Sequence, residues 1–176
     1  MNPRRTTLLA LAFVSTLTSA AAAQKRISGS VRCPPQPEDS KVVMAPDRPD
    51  HAYGVTKFKC TWQKPLQVEG LQSGEDELVG ISEGVGGVMT QHLSGVQTMS
   101  NGDKAMVKVN GRAMLKDGKP STSTGDWSYT GGTGKLAGLG GKGTFKCTFD
   151  ADGAGNCDVM GNYHIAKGKA KAERAR

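Results

Sequence analysis

Aromatic side chains make up only 5% of this 176-residue chain, so a hydrophobic core has to lean on aliphatic residues, and each Trp, Tyr and Phe counts heavily. Beyond residue 23, no window carries apolar residues at the 3.6-residue period, which argues against helical bundles and coiled coils. No downstream run approaches the roughly 20 apolar residues that a spanning helix needs, so no membrane span is expected. No two cysteines stand at Cys-x-x-Cys spacing, against both a zinc knuckle and a thioredoxin-like redox pair.

What is present begins with Arg4 and Arg5, followed by the apolar stretch Leu8 to Val14 and small residues to Ala21, Ala22 and Ala23. This is the three-part layout of a secretory signal, with cleavage expected after Ala23. Loss of Arg4 and Arg5 lowers the formal charge from +7 to +5, and the segment 166–176 holds five bases against Glu173, leaving the body at +1. A body so nearly neutral lacks the basic face that nucleic-acid binding requires, so no nucleic-acid partner is expected. The basic end is expected to be a flexible tail that touches anionic surfaces at most. Four cysteines, Cys33, Cys60, Cys147 and Cys157, follow the leader. An even count in an exported chain reads as two disulfides, and the expected location is periplasmic or secreted.

Residues 24–51 hold Pro34, Pro35, Pro37, Pro46 and Pro49, which predicts an N-terminal arm pinned by Cys33. From Ala52 the pattern becomes alternation. Phe58, Cys60 and Trp62 share one parity; Val107, Val109, Gly111, Ala113 and Leu115 share another after a turn at Asn101-Gly102. The latter reads as one long strand, with a hairpin at Asn110-Gly111 as the competing reading. Glu77 to Ser82 and Gly87 to Gln91 read as short strands. Trp127 and Tyr129 are in phase, as are Phe145, Cys147 and Phe149, and so are Cys157, Val159, Gly161, Tyr163 and Ile165. The one domain, residues 52–165, is therefore all-β and antiparallel with little helix. Cys147 and Cys157 fall on the same face of strands joined by a polar turn, so they are expected to pair across a hairpin. By elimination Cys33 pairs with Cys60.

Several motifs fail on inspection. Gly138, Gly140 and Gly143 match G-x-G-x-x-G but lead into a strand, where a dinucleotide site needs a helix. Asp150, Asp152, Asn156 and Asp158 imitate a calcium loop, yet Ala154 and Gly161 stand where oxygen ligands belong. His51, His92 and His164 are scattered, and the methionines are unclustered. No metal, cofactor or catalytic set is expected.

The segment Asp126 to Phe145 contains Gly131-Gly132-Thr133-Gly134, then Leu136 and Leu139, then Gly140, Gly141 and Gly143. It resembles the signature stretch of the allene oxide cyclase and dirigent barrels, in which a strand delivers a Gly-Gly-Thr/Ser-Gly turn, an apolar anchor follows, and a second glycine turn starts the next strand. The resemblance implies a small antiparallel β-barrel of the allene oxide cyclase-like (calycin-like) kind, with an open sandwich as the second choice. No active-site residue carries over. Such a barrel holds one small ligand or fills with side chains. Phe58, Trp62, Trp127, Tyr129, Phe145 and Tyr163 are the residues expected to face the interior, and binding of a small apolar ligand is the function expected. A substrate-confining cyclase or isomerase, or a ligand-free envelope protein, is the alternative.

Overall fold

In the computed structural model, which describes residues 24–166, ten strands follow one another with two short 3₁₀ turns, Pro37–Asp39 and Gly134–Leu136. The strands are β1 (Lys25–Cys33), β2 (Lys41–Met44), β3 (His51–Lys64), β4 (Gln67–Val68), β5 (Leu71–Val85), β6 (Val88–Met99), β7 (Lys104–Lys116), β8 (Lys119–Gly132), β9 (Leu139–Phe149) and β10 (Gly155–Ile165). From β5 to β10 they form a meander of antiparallel neighbours; β10 then pairs with β1, β1 with β3, and β3 with β5. That last pairing closes an eight-stranded barrel, which leaves β2 and β4 as appendages and removes most free sheet edge. The open sandwich is not adopted.

Three local expectations change. The arm predicted for 24–51 starts later: the prolines begin at Pro34, while proline-free Lys25–Cys33 alternates Ile27, Gly29 and Val31 inward and becomes a barrel strand between β10 and β3. The segment Glu77 to Ser82 lies within the much longer β5, and the segment from Gly87 to Gln91 is the Gly87 turn residue followed by the start of the longer β6; flanking Glu, Gln and Gly residues hide the extent of both strands. Asn110-Gly111 does not turn; β7 runs through it, paired on both sides. The leader expected over 1–23 and nearly all of the basic tail lie outside the described residues. Ala166, expected to open the tail, donates its N–H to the Gly138 carbonyl at 2.9 Å.

The two barrel ends differ. At one end the 3₁₀ turn after β8 and the short β4 bring Leu136, Leu66 and Val68 inward, each 1% exposed or less, against Leu71, Met99 and Leu139. Leu136 and Leu139 thus plug the barrel as the glycine-flanked segment suggested. At the other end no comparable plug exists among the described residues, and the rim is built from Pro35, Pro37, Pro120 and the β9–β10 turn. Two disulfides staple this rim. Cys147 stands directly opposite Cys157, and Cys33 joins Cys60 one step beyond the paired residues Arg32 and Thr61. Arg32, on the outer face, holds the β9–β10 turn through Asp150 and through Asp152 at 3.2 Å.

Candidate functional site: the barrel lumen

Inward positions of β5, β6 and β7 include Gly80, Gly95 and Gly111, where no side chain enters the interior. With so few large residues to spend, the interior does not fill. A cavity of about 460 Å³ runs from Leu66 at the plugged end to the proline rim at the open end. That volume lies within the range of small-molecule sites, about 300 to 1,000 Å³.

Five of the six aromatic residues expected inside line this cavity: Phe58 and Trp62 from β3, Trp127 and Tyr129 from β8, and Phe145 from β9. Tyr163 is buried but belongs to the plugged end, where its hydroxyl accepts the Glu69 N–H at 3.1 Å, and it does not line the cavity. Val31, Leu78, Leu93, Val107, Val109 and Val159 complete the apolar wall. Trp127 is seated by the strands beneath it. A Cβ on Gly143 or Gly161 would come within 2.6 Å of its Cζ2, so the indole occupies space that any larger residue at those positions would take. Its Nε1–H is buried and has no hydrogen-bond partner among the described residues.

Deep in the lumen the apolar wall is broken by one carboxyl group. Register places Cys60, Asp76, Gln97 and Ala105 in a row across β3, β5, β6 and β7. Asp76 accepts the Trp62 Nε1–H at 2.8 Å, and beside it the Gln97 Oε1 accepts the Tyr129 hydroxyl at 2.7 Å. Burial pushes the Asp76 carboxyl up to about 6, against the opposing pull of the Trp62 bond and the neighbouring Gln97 amide. Burial also raises the Tyr129 phenol, with the nearby Asp76 charge adding to the effect, so Tyr129 stays neutral and donating at any ordinary pH. Gln91 and Ser123, both buried, add polar atoms nearer the rim.

Asp76 and Gln97 escaped the sequence reading. Val79 and Ile81 on one parity of β5 are as apolar as Leu78 on the other, so the inward face was undetermined; in the structure Val79 and Ile81 are 53% and 61% exposed. Had Leu78 been known to face inward, the period of two would have carried Asp76 in with it. The other motifs set aside on sequence lie at the rim or on the outer face. Asp150 and Asp152 are held by Arg32 in a turn closed by Ala154 N–H donating to Asp150 Oδ1. His51 bonds Asp47 and Glu83 on the outside, and His92 bonds Asn110.

No protein-family model and no curated protein matches the chain. Among solved structures it is similar to two pterocarpan synthase dirigent proteins, GePTS1 and PsPTS1. For the first, the identity is 12% over 84% of this chain and 90% of that one; for the second, 15% over 83% and 97%; the TM-score is 0.48 in both. This chain is similar to dirigent proteins. At that distance the likeness carries no argument about what this chain does.

Proposed function

We infer that the protein is an exported container for a small apolar molecule, held in the lumen behind a rim stapled by two disulfides. One observation carries this reading: a cavity of about 460 Å³, walled by aromatic and aliphatic side chains, is plugged at one end and open at the other. A core built merely for stability is packed to the density of an organic crystal and tolerates few voids larger than water. The aromatic side chains Phe58, Trp62, Trp127, Tyr129 and Phe145 are the contacts assigned to the ligand. The periplasm or the extracellular space is the assigned location, because two disulfides belong to an oxidising compartment.

A second reading, a substrate-confining cyclase or isomerase, draws support from the Asp76–Gln97–Tyr129 row, which puts polar groups into the same space. One experiment bears on both. The protein is recovered from the exported fraction of its own cells and weighed under native and denaturing conditions. A mass starting at Gln24, lacking the hydrogens of four thiols and carrying an adduct that denaturation removes, is expected, and the adduct identifies the ligand class. Incubation that converts the released compound, instead of returning it intact, would favour the enzyme. A native mass free of adduct, together with failure to take up any apolar probe, would overturn the container reading.

A further inference from the structure

The lumen's chemistry narrows the ligand class, and the argument rests on the container reading above. Asp76 is 9% exposed and forms no ion pair among the described residues. Its neighbours across the barrel are neutral: Cys60 is in a disulfide, Trp62 donates a hydrogen bond, Gln97 is an uncharged amide, and the Tyr129 phenol keeps its proton. The other charged residues lining the cavity are Lys119, Asp150 and Asp152, all at the rim. Arg32 pairs with both rim aspartates, so the entrance carries no excess charge and Asp76 is the unpaired charge of the lumen among the described residues. A buried carboxylate without a counterion is costly, and the structure supplies it with the Trp62 hydrogen bond but no cation.

We propose that the ligand is a hydrophobic organic cation, an amine whose ammonium group donates to Asp76 while Trp62, Tyr129, Trp127 and the phenylalanines enclose its apolar body. Two features converge on this class. The carboxylate supplies the counterion, and oxygen lone pairs not used by Trp62 remain to accept from the ammonium. Aromatic faces attract a desolvated cation. A neutral alcohol of the same shape fills the same volume but leaves the Asp76 charge unpaired, and a carboxylate sets two like charges together in a dry site.

The test uses three probes of one shape and different charge: 1-naphthylmethylamine, 1-naphthalenemethanol and 1-naphthoate, titrated calorimetrically into the full disulfide-bonded protein. Near pH 7.5 the amine is expected to bind at least about tenfold more tightly than the alcohol, and the naphthoate not at all. Near pH 4.5, below the titration of Asp76, the amine loses its advantage while the alcohol is unchanged. Asp76→Asn is expected to equalise amine and alcohol near pH 7.5 with alcohol affinity retained. The pH arm needs no variant and stands if Asp76→Asn fails to fold. Equal binding of amine and alcohol near pH 7.5 would overturn the cation assignment and leave the container reading intact. Binding of none of the three would overturn both.

Discussion

Replacing Asp76 by Asn changes the pH dependence of stability in a direction and by an amount that the lumen fixes in advance. The carboxyl is protonated more readily in the folded protein, at about 6, than in the unfolded chain, at 3.8. The folded state therefore holds a proton that the unfolded state releases between those values. Its contribution is fully present below 3.8 and is lost as the pH rises through about 6. A difference of about two units corresponds to about 3 kcal/mol. Asn keeps an acceptor for the Trp62 N–H and carries no charge, so its stability lacks this slope. The stability of Asp76→Asn relative to wild type is expected to rise by about 2.4 kcal/mol of that amount between about pH 4 and pH 7, equivalent to about 5 to 10 °C in Tm for a domain of this size. Exposed carboxylates held below their usual range, such as Asp150 and Glu83, slope the other way but are common to both proteins and cancel in the difference. Urea unfolding followed by fluorescence of Trp62 and Trp127 at several pH values measures it. A difference that stays flat within about 0.5 kcal/mol across that range would refute the placement of Asp76 in a dry lumen.

Other substitutions probe the barrel itself. Replacing both members of Cys33–Cys60, 27 residues apart, is expected to cost about 4 kcal/mol in chemical denaturation, and replacing Cys147–Cys157, 10 apart, about 3, because the longer loop is the costlier to close. Leu136→Ala empties the plug and should lose about 2 to 5 kcal/mol, with equal loss at pH 5 and pH 8 since no titrating group is involved. Gly143→Ala pushes a methyl group onto the Met160 carbonyl oxygen and to 2.6 Å from Trp127 Cζ2. It is expected to cost about 1 to 3 kcal/mol and to alter the near-ultraviolet circular dichroism of the displaced indole; a silent substitution there would mean that Trp127 does not rest on β9.

Strands with one polar and one apolar parity were readable from the residues. Phe58, Cys60 and Trp62 against Lys57, Lys59 and Thr61 gave the inward face of β3, and the shared phase of Cys147 and Cys157 gave their disulfide. Where both faces carry apolar residues, as along Leu78 to Ile81, alternation is silent, and it was there that Asp76 went unnoticed. The arm starts later than expected because the prolines at 34, 35 and 37 say nothing of proline-free Lys25–Cys33, whose strand character depends on partners 122 to 138 residues away in β10. Closure through β3 and β5 is likewise a long-range pairing that no local pattern encodes. Five of the six proposed lumen residues reach the cavity because period-two parity is a local property. Tyr163 fails because its height along the barrel is not.

The claim on which the rest depends is that the lumen is hollow, and crystals of the protein pressurised with xenon test it most directly, since the gas enters apolar cavities and marks them with strong density. The account predicts xenon inside the barrel, among Phe58, Phe145 and Trp127. Side chains closing that space, with no xenon between Leu66 and the proline rim, would contradict it.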